Sequence, residues 1–357
     1  MQPANIELIR QVVSMVDSLI DTQNMQKAEE VWDSMLAKDS SAREHLYTFA
    51  LATLKKNQAS KAIILLSMAA KNCSPKDKYS IKLIETIMEA GKTAEENGSI
   101  NEAIHHYRNA LLANPLHDPA AFALAGIYLP GEQYLDILNK IHDLIKPAAY
   151  LEIGVSRGES ISLAKPPTLA IGIDPTPQVT SKVQTETTIF TVESDHFFKH
   201  NDLCTTLKDK DLDLAFIDGL HIYEQVIRDF INVERYCHNN SIILLHDCLP
   251  TDPITSERDR VSGWWTGDVW KVIPSLLKYR PELDIMVVPT QPSGLAIVTG
   301  LNPESTILDD EYDKIVKEFI DLPFEEFEKI RDSNFNIVSN DWNSISQQIL
   351  STLKNQS

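Results

Sequence analysis

The stretch Tyr150–Gly158, YLEIGVSRG, decides the fold of this chain. Its first four residues form a mostly apolar run between Pro147 and Gly154, a pattern typical of a buried strand. Gly154 and Gly158 flank a tight turn, and residues 159–164 continue as a predicted helix. Because glycine lets backbone amides approach a ligand closely, a strand, a glycine turn and a helix start predict a cradle for a nucleotide-like ligand.

A second predicted strand, AIGID, begins about twenty residues later and ends in Asp174, where such folds hold a ribose hydroxyl. The dinucleotide-binding glycine triplet is missing, because Ser156 replaces its middle glycine. The pattern Glu152-x-Gly154-x-x-x-Gly158 instead resembles the S-adenosylmethionine (SAM) loop of class I methyltransferases. A nicotinamide-dependent dehydrogenase is therefore disfavoured, and a strand and turn of an unrelated α/β domain remains the alternative.

Bulk properties disfavour several classes of function. The 357-residue chain is long enough for two domains, and its net charge of −18 disfavours a nucleic-acid partner. No apolar run approaches a membrane span, and the N-terminus MQPANIELIR lacks a signal-peptide core. The four cysteines show no paired spacing, which favours a reducing cytoplasm.

Residues 1–146 are predicted to form an all-α helical-repeat domain. A pattern of three residues recurs there, in which a small residue is followed by a bulky one four positions later and by a third residue three positions after that. The pattern repeats at shifts of 34 and then 41 residues: Ala28-Trp32-Met35, Ala62-Leu66-Ala69 and Ala103-Tyr107-Ala110. The segment 97–115 resembles a tetratricopeptide repeat. Such repeats bind protein partners or form homodimers, and the alternative is a helical cap that only stabilises the catalytic domain.

Residues 147–300 are predicted to form an α/β domain with a Rossmann-like, doubly wound, mostly parallel seven-stranded sheet. The last two strands are joined by a short link, which predicts an antiparallel hairpin. Residues 301–357 are expected to be a C-terminal extension of two or three surface helices. Strands are predicted at 149–154, 169–173, 188–193, 213–218, 241–246, 284–288 and 294–298. Helices of this domain are predicted at 159–164, 196–208, 222–237 and 268–279.

Two consecutive predicted strands end in acids and histidines. One ends in Asp218, with His221 three residues later, and the next ends in His246 and Asp247. In an open α/β sheet, ligands bind beyond the carboxyl ends of strands, and adjacent strands lie about 4.8 Å apart. If these strands are neighbours, Asp218, His246 and Asp247 converge and can hold a divalent cation, with water or substrate oxygens completing its shell.

That constellation suits methyl transfer to a hydroxyl group. A cation lowers the pKa of the acceptor, and His221 can take the acceptor's proton as a general base. Each residue also has a structural alternative. Asp218 can bind nearby amides, His246 and Asp247 can bond to each other, and His221 can cap helix 222–237, with Arg228 and Asp229 on its solvent face.

The combined motifs resemble metal-dependent sugar O-methyltransferases of macrolide biosynthesis, a branch of the class I methyltransferases. The matching stretches are LEIGVSRGES, IGIDP, SDHFF, FIDGLH, QVIRDF and LHDCLP, followed by GDVWK and SGLAIV. The resemblance implies that Asp218 and Asp247 are metal ligands and that His221 is the base. His246 departs from the pattern, because those relatives carry a carboxylate there. A histidine shifts the preference from magnesium toward manganese or iron, or indicates that no metal binds.

The resemblance also implies a SAM site. Its predicted residues run along the ends of four strands: Glu152, Gly154, Ser156, Gly158, Asp174, Ser194, Asp195 and Asp218. Ser194 and Asp195 are expected near the adenine. Farther along, Trp264 and Trp265 lie in a glycine-flanked loop after a polar stretch, 251–262, that we expect to be mobile. They are candidates for a lid over a sugar face, whereas Trp270 is expected to pack its helix into the sheet.

The sequence thus predicts a cytoplasmic SAM-dependent methyltransferase that modifies a sugar or another small hydroxylated acceptor. Its expected cofactors are SAM and a divalent metal, magnesium or manganese. The alternative is a tetratricopeptide-type scaffold whose SAM-binding domain has no catalytic activity.

Overall fold

The computed structural model describes residues 3–208 and 210–355. Its contacts divide the chain into two compact units, one ending at Ala120 and the other beginning at Ala121. Within the described ranges, no helix is long and apolar enough to cross a membrane.

The first unit consists of helices that pack on their neighbours in the chain, α1 with α2, α3 with α4, α4 with α5, and α5 with α6. The nine residues of the recurring sequence pattern lie on α2, α4 and α6 and are at most 4% exposed. The predicted helical character is confirmed, whereas the tetratricopeptide assignment stays a prediction. The helices are α1 (Pro3–Asp21), α2 (Met25–Lys38), α3 (Ala42–Leu54), α4 (Ala59–Ala70), α5 (Lys78–Glu96) and α6 (Ile100–Ala113).

The α/β fold predicted for the centre of the chain is confirmed. Two helices, α7 (Asp118–Tyr128) and α8 (Tyr134–Ile145), precede a seven-stranded sheet. The strands are β1 (Ala149–Ile153), β2 (Leu169–Ile173), β3 (Thr187–Phe190), β4 (Leu212–Ile217), β5 (Cys237–His246), β6 (Asp284–Val288) and β7 (Leu295–Thr299). Their spatial order is β3-β2-β1-β4-β5-β7-β6.

Strand direction follows the predicted pattern. Strands β1 to β5 pair in parallel, and β7 lies between β5 and β6 and is antiparallel to both. Strands β1, β2 and β7 are buried along their whole length. Continuous apolar runs are what parallel strands need when helices cover both faces of the sheet.

Helices cover the sheet on both faces. On one face, α8 and α16 (Trp342–Asn355) contribute Ile137, Ile141 and Ile345 to a cluster with Tyr150 and Phe216. The other cluster includes residues of α9 (Ser194–His200), α10 (Leu203–Thr206), α11 (Tyr223–Glu234), α12 (Val272–Tyr279), α13 (Ile307–Asp310), α14 (Tyr312–Phe319) and α15 (Phe324–Asn334). Helix α8 thus packs on the sheet, although the proposed domain boundary at 146/147 lies after it.

Three local predictions need correction. The predicted helix at 159–164 is only a 3₁₀ turn, Ile161–Leu163, because Pro166 and Pro167 follow too closely for an α-helix to propagate. The predicted helix at 196–208 is divided into α9 and α10. Among its described residues, the C-terminal extension has four helices rather than two or three, and it contributes Phe327 and Ile349 to the core instead of lying only on the surface.

Candidate active site

The ends of four parallel strands form one rim of the sheet. Strand β4 lies between β1 and β5, as the predicted convergence of Asp218 with His246 requires. Gly154 follows β1 with φ +92°, and a Cβ atom at this position would overlap the carbonyl oxygen of Asp218. Only glycine allows this close approach, which brings the loop after β1 against the end of β4.

Asp174 shapes the glycine loop from the end of β2. Its Oδ2 accepts a hydrogen bond from the Ser156 amide at 2.8 Å, and its Oδ1 accepts one from the Thr176 amide at 2.7 Å. Ser156 has φ +45°, a left-handed conformation that a non-glycine residue adopts at an energetic cost. The carboxylate therefore holds the loop in a strained form before any ligand arrives.

Glu152 lies beneath the same loop and is fully buried. Tyr150 and Ser160 each donate a hydroxyl hydrogen bond to it, at 2.6 and 2.7 Å. Burial raises the pKa of Glu152 to about 8, although these two hydrogen bonds oppose the shift. This acid consequently ties the segment after the glycine loop to β1.

Ser194 and Asp195 lie at the start of α9. The side-chain amide of Gln225 donates to both, at 3.1 Å in each case. Arg228 lies 3.2 Å from a carboxylate oxygen of Asp195, whose side chain is 48% exposed. The two residues predicted near the adenine are thereby fixed to α11.

Asp229 is a buried acid that sequence reasoning placed on the solvent face of its helix. That placement is wrong, because Asp229 is 1% exposed. Its Oδ1 accepts a hydrogen bond from Gln225 at 3.1 Å, while its Oδ2 is buried without a hydrogen-bond partner among the described residues. Burial raises the pKa of Asp229 to about 7. The i, i+4 spacing of Gln225 and Asp229 was the available signal that they share a helix face.

Asp218, His221, His246 and Asp247 form what we call the acid–imidazole cluster. His246 Nδ1 lies 3.0 Å from Asp218 Oδ1, and His221 Nε2 lies 3.4 Å from the same oxygen. His221 Nδ1 is 3.0 Å from Asp247 Oδ2, but it donates instead to the Trp265 carbonyl oxygen at 2.8 Å. That hydrogen bond fixes the ring and leaves Nε2 as the nitrogen that can accept a proton.

Burial and neighbouring charges have opposite effects on the pKa values of the acid–imidazole cluster. Burial alone would lower the pKa of each histidine, but the neighbouring carboxylates raise it to about 9 for His221 and about 10 for His246. Burial opposes ionisation of Asp218, but the charge of His246 and hydrogen bonds from both imidazoles hold its pKa below the usual range. The carboxylates therefore favour the protonated form of both imidazoles.

The cluster also fits a divalent cation. Ligand atoms of Asp218, His221 and Asp247 all lie within 4.8 Å of one another. Asp247 has φ +58°, and its buried Oδ2 has no hydrogen-bond partner among the described residues. A buried carboxylate oxygen that accepts no hydrogen bond, in a residue with a strained backbone, is costly unless a ligand uses it. His246, one of the predicted ligands, instead turns Nδ1 toward Asp218 and is 3% exposed.

Comparison with known proteins identifies the central part of the chain. Residues 151–248 match the family model described as a methyltransferase domain. The sheet also has the arrangement expected of class I methyltransferases, which is mostly parallel with one antiparallel strand late in the chain. This segment is a methyltransferase domain.

Solved structures of methyltransferases resemble the domain at low similarity. The O-methyltransferase TomG from Streptomyces achromogenes, in complex with SAM, has 13% identity and a TM-score of 0.36, covering 47% of this chain and 79% of that one. An O-methyltransferase from Bacillus cereus, in complex with SAH, has 11% identity and a TM-score of 0.34, covering 60% and 98%. A search of curated proteins finds no match. Because both TM-scores are low, these structures do not support the assignment. It depends on the match to the domain model and on the strand order.

The loop that contains Trp264 and Trp265 borders the acid–imidazole cluster of the methyltransferase domain. The Trp265 ring stacks on His221 with centroids 5.4 Å apart, and Trp264 contacts Phe122 at 5.4 Å. The preceding polar stretch, which we expected to be mobile, contains buried residues and is tied down by Arg258. This guanidinium bonds to Glu224 at 2.7 Å and Asp268 at 2.6 Å. Trp270 is 1% exposed and packs in the core, as predicted.

Tyr134, a residue that the motifs did not indicate, lies over the methyltransferase domain's cluster. Its ring centroid is 4.1 Å from that of His246. Burial and the charges of Asp218 and Asp247 raise the pKa of Tyr134 well above its usual value. No sequence signal identified it, because it lies in a helix assigned to the preceding domain.

Proposed function

We propose that this protein transfers a methyl group from SAM to a hydroxyl oxygen of a small acceptor, such as a sugar. The position of His221 supports this proposal most strongly. Its Nδ1 is held by the Trp265 carbonyl, its Nε2 is left to accept a proton, and its loop follows the strand that adjoins the glycine loop.

In this proposal the donor lies against the glycine loop. Glycines 154 and 158 allow backbone approach, Glu152 and Asp174 hold the loop, and Ser156 contributes its strained backbone. Ser194 and Asp195 border the adenine, and Asp218 lies between donor and acceptor. The proposal thus keeps all the predicted SAM residues. Glu152 acts indirectly, by holding the loop in place.

The chemistry balances with residues of the cluster. With the His221 imidazole in its neutral form, the acceptor O–H bond breaks and its proton passes to His221 Nε2, while the oxygen forms a bond to the methyl carbon and the carbon–sulfur bond of the donor breaks. The products are a methyl ether, neutral S-adenosylhomocysteine (SAH) and an imidazolium. His221 is 23% exposed, so it can return the proton to solvent.

Asp218 and Asp247 would hold a divalent cation, magnesium or manganese, in this proposal. When bound, the cation supplies Lewis acidity to the acceptor hydroxyl and replaces imidazolium protons in neutralising the two carboxylates. The unpartnered Oδ2 of Asp247 supports this assignment. His246 orients Asp218 through its 3.0 Å hydrogen bond.

The rim around His221 is suited to an acceptor with an apolar face. Leu220 is 51% exposed, Val261 is 48% exposed and Phe122 is 48% exposed beside Trp264. A sugar ring presents an apolar face together with hydroxyl groups, so stacking on such a surface leaves a hydroxyl free to reach the base. The helical unit is proposed to recruit a protein partner or a second copy of the chain, in the cytoplasm.

A donor-binding measurement followed by an acceptor screen tests the proposal. Calorimetry should detect SAM binding and no comparable NAD binding. Transfer of tritiated methyl groups from SAM to a panel of sugars and other small alcohols should then identify an acceptor. His221→Ala should abolish this turnover, and EDTA should reduce it. SAM binding without turnover on any acceptor would favour the scaffold alternative, and tight NAD binding without SAM binding would exclude the proposal.

A further inference from the structure

Residues 264–268, which we call the tryptophan loop, cross the backbone of the proposed base. Gly267 has φ +56°, and a Cβ atom at this position would lie 1.8 Å from the carbonyl oxygen of His221. No side chain fits into such a gap, so the crossing requires glycine. Two residues earlier, the Trp265 ring is nearly parallel to the imidazole, with an interplanar angle of 23°. The tryptophan loop thus contacts His221 through both backbone and ring.

Two hydrogen bonds fix the tryptophan loop beside this crossing. The Thr266 amide donates to the Thr255 carbonyl oxygen at 2.9 Å. Asp268, which is 1% exposed, accepts a hydrogen bond from the Tyr223 amide at 2.7 Å. Tyr223 is the first residue of α11, so the second bond ties the loop to the helix that begins beside the base. Contacts within the protein therefore determine where the Trp265 carbonyl lies.

The position of the Trp265 carbonyl decides which acceptor the imidazole uses. His221 Nδ1 lies 2.8 Å from that carbonyl oxygen and 3.0 Å from Asp247 Oδ2. The proton goes to the carbonyl, and Asp247 Oδ2 accepts no hydrogen bond from the described residues. A carboxylate is the stronger acceptor of the two groups. If the loop moved away, the imidazole would turn its Nδ1 proton toward Asp247, and Nε2 would leave its present position.

We propose that Gly267 is a positioning residue for the base. By allowing the tryptophan loop to cross His221, it brings the Trp265 carbonyl to Nδ1 and keeps the imidazole off Asp247. Nε2 then keeps the orientation needed to accept a proton, and Asp247 keeps an oxygen open. The inference rests on the proposed function, because it takes His221 as the base. Gly267 itself acts only through His221.

Nuclear magnetic resonance of protein labelled with ¹⁵N-histidine tests the contact without an acceptor. The Nδ1–H group that bonds to the carbonyl is present whether the ring is neutral or charged, and its resonance is assigned by its absence in His221→Gln. In Gly267→Ala this resonance should shift or vanish, because the new Cβ displaces the carbonyl. Gly98→Ala is the matched control. Gly98 also has a positive φ, +77°, but a Cβ there meets no atom within 4 Å, so the resonance should stay unchanged.

Steady-state kinetics on an acceptor from the screen test the consequence. Gly267→Ala should lower kcat on the order of 10²-fold, the usual cost of a small misplacement of a reacting group, while SAM affinity changes less than about twofold. Gly98→Ala should keep the wild-type kcat. A loss of SAM affinity equal to the loss of kcat would indicate general damage to the domain and would overturn the inference.

The remaining outcomes separate this inference from the proposed function. An unchanged Nδ1–H resonance or an unchanged kcat in Gly267→Ala overturns the inference while the function stands. A wild type that turns over no acceptor defeats both, because no base is then positioned. Should the alanine variant not fold, Arg258→Met removes the bonds that join Asp268 to Glu224 through the Arg258 guanidinium. That side chain is 36% exposed, and its loss should shift the same resonance and lower kcat.

Discussion

The glycine loop and the acid–imidazole cluster lie at the same rim of one sheet, but their carboxylates are used differently. At the glycine loop, the protein's own donors occupy the acids: two hydroxyls bind Glu152 and two backbone amides bind Asp174. In the cluster, Asp247 keeps a buried oxygen without a hydrogen-bond partner among the described residues. We therefore propose that Glu152 and Asp174 shape a binding loop, whereas Asp218 and Asp247 take part in the chemistry.

The largest expected effect separates these roles in turnover. His221→Gln should lower kcat by about 10²–10⁴, the usual contribution of a general base, with SAM affinity unchanged. Glu152→Gln should leave kcat close to the wild-type value, because the raised pKa of about 8 keeps Glu152 protonated at neutral pH and glutamine resembles that form. Steady-state kinetics on an acceptor from the screen measure both. Equal losses in the two variants would contradict the division of roles.

Backbone geometry at the glycine loop gives the next effect. Gly154→Ala places a Cβ against the Asp218 carbonyl in a residue with φ +92°, so we expect a loss of unfolding free energy on the order of 2 kcal/mol or more. Gly126→Ala is the matched control, because it meets no atom within 4 Å in α7 and should be neutral or stabilising by up to about 1 kcal/mol. Urea unfolding measures both, and equal stability of the two variants would refute the close approach.

Stability as a function of pH sharpens the contrast at Glu152. Its pKa is about 8 in the folded protein against an ordinary value of 4.5, so the folded state holds an extra proton between these values. The contribution of Glu152 to the free energy of unfolding is greatest below pH 4.5 and is lost as the pH rises to 8. Glu152→Gln lacks this loss and should gain on the wild type by at most about 1.4 kcal/mol per pH unit. Parallel stability curves between pH 5 and 8 would disprove the shift.

Cation binding probes the other side of the comparison with a smaller signal. At pH 7.5 the imidazole of His221, whose pKa is about 9, is protonated, so Mn²⁺ binding at the cluster should release about one proton or more. Calorimetry in two buffers of different ionisation enthalpy measures this number. Asp247→Asn should remove both the binding and the release, and unchanged Mn²⁺ binding in that variant would place the cation elsewhere.

Much of the fold was predictable from local pattern. The apolar runs that became β1, β2 and β7 are buried on both faces, so hydrophobicity alone indicated them. The helix predicted at 159–164 failed because local helical pattern ignores the prolines that follow it. The burial of Asp229 depends on α9 and α11 meeting, which no local pattern records.

The candidate site was predictable where its residues end neighbouring strands. Asp218 and Asp247 converge because β4 and β5 are adjacent, which alternation of strands and helices made the natural expectation. Tyr134 could not be found in this way, since it reaches the rim only through the packing of α8 on the sheet. The orientation of His246 toward Asp218 likewise depends on side-chain packing.

A crystal structure with bound SAH tests most directly whether the rim is divided between donor binding and chemistry. We predict SAH density along the glycine loop, with its sulfur beside Asp218 and directed toward His221 Nε2. Density that leaves the glycine loop empty, or that places the sulfur away from the acid–imidazole cluster, would contradict the assignment of both regions.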